Sequence, residues 1–271
     1  MKGMKNIELI VRSPKTAPRY QVPILCVHGG YHGAWCWDEY FLPYFAEHGF
    51  EAYALSLRGH GKSDGHENIN QWRIADYVAD VAAVVEKLPA APVLIGHSLG
   101  GVVVQKYLQQ ASAPGGILLA SSPLNGMATA SFKMMLRHPA PILKMFFTFN
   151  MLHARPAFET IFFSDDLPRD QVKSYFDRMG NESFWAFMDV AMLDKPNPKE
   201  VRSPILVIGG EKDNSIPTAV NEVLASAYGI KLETFPVAHD MMLDPNWKLV
   251  ADCIVAWTQK QLSSQNAGEA T

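Results

Sequence analysis

The sequence predicts an α/β protein: a mostly parallel, twisted sheet flanked by helices, with a helical insertion. Three observations lead there. Short β-branched and apolar runs alternate with segments of helical spacing, the pattern of parallel strands joined by crossover helices. A Gly-x-Ser-x-Gly sequence at 96–100 stands between an apolar run and a helical one. The stretch between the runs near residues 120 and 205 is too long and too helical for a loop. The 271 residues therefore divide into a core, 1–123 with 201–271, and a helical cap inserted at 124–200.

The elements follow in order. Residues 22–27 (VPILCV) read as a strand that ends in His28-Gly29-Gly30, and residues 52–57 (AYALSL) as another ending in Arg58-Gly59-His60-Gly61. A helix is expected between them, around 38–48. Residues 75–88 (ADYVADVAAVVEKL) carry apolar side chains at helical spacing, and Pro89 and Pro92 stop that helix before a strand at 93–96. A helix over 99–111 follows at once. Two more buried strands are expected at 116–121 (GILLAS) and 204–209 (PILVIG), and a last one at 232–236, just before Ala238-His239. The small polar end, 263–271, is expected to fray.

Composition narrows the function. With 48% apolar and 19% charged residues the chain has the make-up of a folded globular protein. The net charge of −3, with Lys and Arg scattered, offers no footprint for nucleic acid. The start lacks the apolar core of a signal peptide, and no apolar stretch reaches the roughly 20 residues that span a bilayer. Cys26, Cys36 and Cys253 form no CxxC pair and read as small apolar residues of a reducing compartment, so the cytoplasm is the expected location.

The chemistry centres on Gly96-His97-Ser98-Leu99-Gly100. A serine at a strand-to-helix turn needs a strained backbone, and the flanking glycines relieve crowding so that its hydroxyl stands clear of the sheet. A serine hydroxyl is a poor nucleophile alone and requires a histidine base oriented by a carboxylate. Asp213 follows the strand at 204–209 and His239 follows the one at 232–236, in the order Ser, Asp, His. Glu211 is the near rival for the acid, and His97 is read as packing or polar support. Two N–H donors must face the developing oxyanion, one after the nucleophile and one after an earlier strand: Leu99 and Gly30. The His28/His32 spacing suggests zinc, but the intervening glycines forbid a helix, so no metal and no cofactor is expected. The glycine-rich run at 59–65 matches no phosphate loop and reads as a turn shaping the pocket rim. Phe146, Phe147 and Met151 are the candidates for apolar substrate contacts from the cap.

The motifs HGG at 28–30, GHSLG at 96–100, Asp213 in GEKD and His239 resemble those of the α/β-hydrolase superfamily over nearly the whole chain. Within it, His28 to Trp37 (HGGYHGAWCW) is similar to the HGxxHGAWxW segment of plant methylesterases, hydroxynitrile lyases and many bacterial esterases. That resemblance implies an α/β-hydrolase fold, Gly30 and Leu99 as oxyanion donors, and a small-molecule ester as substrate. Gly29 and Asp240-Met241 depart from the threonine and lysine of hydroxynitrile lyases, which favours hydrolysis. Ser98 replaces the aspartate of epoxide hydrolases and haloalkane dehalogenases. Cleavage of small to medium apolar esters through an acyl-enzyme is the expectation. Thioesterase, lactonase, acyltransferase or lyase chemistry on the same triad, or ligand binding without catalysis, are the alternatives.

Overall fold

The computed structural model describes residues 6–124, 136, 139–153 and 161–269. Seven strands form one sheet: β1 (Leu9–Arg12), β2 (Ile24–Val27), β3 (Ala52–Leu55), β4 (Val93–His97), β5 (Gly115–Leu119), β6 (Ile205–Gly210) and β7 (Glu233–Phe235). Their order is β1-β3-β2-β4-β5-β6-β7. Only β1 runs antiparallel, pairing Leu9 with Leu55 at one edge; every other pairing is parallel, with Val27 beside Gly96 and Gly96 beside Leu118.

The inner strands are apolar throughout because both faces are covered, as parallel sheets require. On β2, Ile24 and Cys26 join the core on one face, with Trp37, Phe41 and Phe45. Leu25 and Val27 join the other, with Tyr77, Val81 and Val103. The covering helices are α1 (Trp35–Asp38), α2 (Phe41–Glu47), α3 (Ile74–Val85) and α4 (Leu99–Leu108). The single helix expected around 38–48 is thus two, broken at Glu39-Tyr40. From the insertion between β5 and β6, the described α-helices include α5 (Pro139–Thr148), α6 (Arg169–Arg178) and α7 (Phe184–Met188), the last running on into a π-helical turn at Asp189–Leu193. Helix α8 (Thr218–Ala227) joins β6 to β7, and α9 (Trp247–Glu269) closes the fold. Helix α9 continues past Ser263, the start of the tail expected to fray, to Glu269. The buried residues Val250, Ala251, Ile254 and Leu262 anchor α9, and a helix once nucleated by packing propagates at little cost. Among the described residues no helix is long and apolar enough to cross a membrane. Cys26 and Cys36 are buried and Cys253 half-buried, and all three are free thiols.

What positions the site is the β4–α4 junction. A Cβ on Gly100 would fall closer than 3.0 Å to the backbone carbonyl oxygens of Val27 and His28, and one on Gly96 equally close to Gly100 O. These neighbours are main chain, at the end of β2 and in the first turn of α4, and have little room to yield. Gly100→Ala is therefore expected to destabilise the fold by more than about 3 kcal/mol, a size reserved for forced overpacking. Urea unfolding measures it, and a loss under about 1 kcal/mol would show that the junction can relax.

Candidate active site

Ser98 sits alone between β4 and α4 with φ 51° and ψ −116°, a conformation that side chains other than glycine's seldom adopt. Its N–H donates to Leu119 O at 2.9 Å, which ties the turn to β5. The hydroxyl is half-buried and lies 3.1 Å from His239 Nε2. On the other side of the ring, His239 Nδ1 donates to Asp213 Oδ2 at 2.8 Å. Asp213 Oδ1 accepts the N–H groups of Ser215 and Ile216, each at 2.7 Å, so its carboxylate is clamped before it meets the imidazole. Ser98, Asp213 and His239 are thereby in line, drawn from the carboxyl ends of β4, β6 and β7, where open α/β sheets bind ligands. Glu211, the rival acid, instead accepts from Thr234 Oγ1 at the exposed sheet edge.

Electrostatics favour a charged imidazole. Burial alone would lower the His239 pKa, but the Asp213 charge and hydrogen bond outweigh it, with help from Asp240, and hold it above the ordinary 6.5. His97 is the opposite case. Fully buried beside His239, it is pushed down to about 3 and stays neutral, and its Nε2–H donates to His239 O at 3.0 Å. It supports the backbone of the base, the polar support expected of it.

The two predicted oxyanion donors line one pocket with Ser98. Leu99 opens α4, so its N–H has no carbonyl a turn behind it inside the helix. Gly30 is held by a feature the motif reading missed: His32 Nδ1 donates to Gly30 O at 2.8 Å while His32 Nε2 reaches Asp240 Oδ2 at 3.1 Å. The second histidine of the HGxxHG segment thus links the oxyanion loop to the residue after His239. His28 has both ring nitrogens bonded to backbone, at Gly29 O and Leu57 N, and so leaves none for a metal. His97, His239 and Asp240 bring ligand atoms within 4.8 Å of one another, but both ring nitrogens of His239 and Nε2 of His97 are engaged in the contacts just described.

The pocket holds about 450 Å³ of empty space, part of it open to solvent. Its apolar walls are Phe162, Phe187 and Val190, all from the insertion. Phe162 stacks on the His239 ring with centroids 5.0 Å apart, and its carbonyl accepts from Asp240 N–H. Of the residues expected to make these contacts, Phe146 and Phe147 do not line the pocket. Phe147 is 82% exposed, because α5 turns Ile142 and Met145 inward and Phe147 away. Phe146 packs edge-on against Phe184, and the side chain of Met151 lies outside the described residues. In the run at 59–65, read as a turn at the pocket rim, His60 is buried and lies 3.2 Å from the pocket-lining Glu182.

Among solved structures, an esterase from Exiguobacterium antarcticum superposes with a TM-score of 0.71 over 93% of this chain and 95% of its own, at 20% identity, which speaks for the fold. A monoacylglycerol lipase of Mycolicibacterium smegmatis is 22% identical over 96% of both chains. A non-heme chloroperoxidase of Streptomyces lividans is 39% identical, but the match takes in only 38% of this chain and 36% of that enzyme. Residues 24–252, most of the chain, match the profile of the alpha/beta hydrolase family, and the protein belongs to that family.

Proposed function

We propose that the protein is a carboxylic-ester hydrolase that works through an acyl-enzyme, with Ser98 as nucleophile, His239 as general base and acid, and Asp213 as the orienting carboxylate. One observation carries the reading: the Ser98–His239–Asp213 chain, at 3.1 and 2.8 Å, opens onto a pocket shared with Gly30 and Leu99. His239 Nε2 takes the Ser98 proton as Oγ attacks the ester carbon, and the N–H groups of Gly30 and Leu99 receive the oxyanion. Collapse expels the alcohol, which takes its proton from His239. Water, deprotonated by His239, then releases the acid and returns the proton to Ser98. Residues 124–200 act as a cap, and the small pocket with its Phe162, Phe187 and Val190 walls suits short to medium apolar groups. The esterase and lipase named among the similar proteins fit this reading.

The test is turnover of p-nitrophenyl esters of increasing chain length, with a thioester and a lactone beside them, followed across pH. Esters are expected to be cleaved best, with kcat/KM falling on the acid side around a midpoint above 6.5, where His239 becomes protonated. The stability sign is opposite. A histidine whose pKa rises on folding contributes stability that is fully present below 6.5 and is lost as pH climbs through the folded value. Activity should therefore rise with pH while this contribution to stability fades. Thioester or lactone turnover far above that of esters would reassign the substrate. Absence of covalent labelling by a fluorophosphonate would favour a ligand-binding protein.

A further inference from the structure

Glu182 is a carboxylate in a place where carboxylates are costly. It lies on the loop between α6 and α7, is 2% exposed, and lines the pocket alongside Ser98 and Gly30. The loop is fastened at several points: Gly180 N–H donates to Tyr31 O, Ser183 Oγ donates to Trp72 O, and Phe184 N–H donates to Asn70 Oδ1. One carboxylate oxygen accounts for itself. Oε1 accepts Tyr77 Oη–H at 2.9 Å and the Ser183 N–H at 2.6 Å. The other does not. Oε2 is buried and receives no hydrogen bond from the described residues. His60 Nε2 lies 3.2 Å away and forms an ion pair with it when the ring is protonated, but neither atom makes a hydrogen bond among the described residues. Oε2 is also the atom that a Cβ on Gly30 would meet first, at 3.2 Å, which places it against the loop of the proposed oxyanion site.

We propose that Glu182 is a specificity-determining residue, and that its Oε2 accepts a hydrogen bond from a hydroxyl group carried by the substrate a few bonds from the scissile carbonyl. The preferred substrates are then hydroxy esters, an inference that rests on the ester-hydrolase reading above. Anchoring the loop needs only Oε1, and the His60 ring beside Oε2 offsets its charge without giving it a hydrogen bond. A neutral donor suits it better than a cation. Burial by itself lowers the His60 pKa, but the Glu182 charge and contact outweigh it and hold it above the ordinary value. An ammonium group entering beside that imidazole would be repelled, whereas a hydroxyl brings no charge. A site built to bond a hydroxyl also rejects the analogue without one, because its buried acceptor is then left unpaired.

The experiment compares matched substrates on the full protein and on Glu182→Gln. One pair, p-nitrophenyl butanoate and its β-hydroxybutanoate, puts the hydroxyl on the acyl side; propyl and hydroxyethyl butanoate put it on the alcohol side. In one of the two pairs the wild-type kcat/KM is expected to favour the hydroxy ester by about 10- to 100-fold. Glu182→Gln should bring that ratio to within about threefold of unity, chiefly by lowering kcat/KM for the hydroxy ester, and fluorophosphonate labelling reports whether Ser98 is still reactive in the variant. Equal rates within both wild-type pairs would overturn the proposal even if the variant failed to fold. So would a hydroxyl preference that survives in Glu182→Gln, or an aminoethyl ester preferred to the hydroxyethyl one. A wild-type protein that cleaves no ester at all would overturn the ester-hydrolase reading, and this inference with it.

Discussion

Ser98→Ala is expected to lower ester turnover by at least about 10,000-fold, because no covalent acyl-enzyme can form without the hydroxyl. The variant should remain folded. The only side-chain hydrogen bond of the Ser98 hydroxyl among the described residues is with His239 at 3.1 Å, and alanine tolerates φ 51° no worse than serine does. Stability should then stay within about 1 kcal/mol of wild type. Ser98→Gly supplies the control for backbone strain. It should be equally inactive, yet more stable than the alanine variant by about 1 kcal/mol, since glycine adopts a positive φ at no steric cost. Turnover and thermal melts on the two variants separate chemistry from strain. Near-normal turnover in Ser98→Ala would place the nucleophile elsewhere, and equal stabilities would show that the turn is unstrained.

The strands and the candidate triad were legible because each is announced locally. Residues 24–27 and 205–208 are apolar on both faces, and only a doubly covered strand explains that pattern. Gly96 and Gly100 mark the turn because the main chain of Val27, His28 and Gly100 itself leaves no space for a side chain. Legibility ends where function depends on which face of an inserted helix looks inward. Phe146 and Phe147 stood out by their chemistry, yet Phe162, Phe187 and Val190 wall the pocket, and helical spacing does not reveal which part of the insertion returns over the sheet. Glu182 was hidden for a related reason: only long-range contacts with Tyr77 and the sequestered His60 give it a buried role. The division of α1 from α2 depends on a single turn, a weak local signal.

Asp213→Asn is expected to cost about 10,000-fold in kcat, and the clamp on the carboxylate explains why so small a change should do so much. The N–H groups of Ser215 and Ile216 both point at Oδ1. An asparagine in their place must turn its carbonyl oxygen toward those two donors, which sends its NH₂ to the position of Oδ2, 2.8 Å from His239 Nδ1. Nδ1 then has to accept rather than donate, the ring proton moves to Nε2, and the atom facing Ser98 can no longer take its proton. The acid limb of the pH profile should also move down, because the charge that raises the His239 pKa is gone. Glu211→Gln is the matching control. Its carboxylate bonds Thr234 at the sheet edge, so its turnover should stay within about twofold of wild type. Should Glu211→Gln prove the more damaging of the two, the acid would have to be reassigned. Should Asp213→Asn lose activity with no movement of the acid limb, the carboxylate would be acting on the position of His239 and not on its charge.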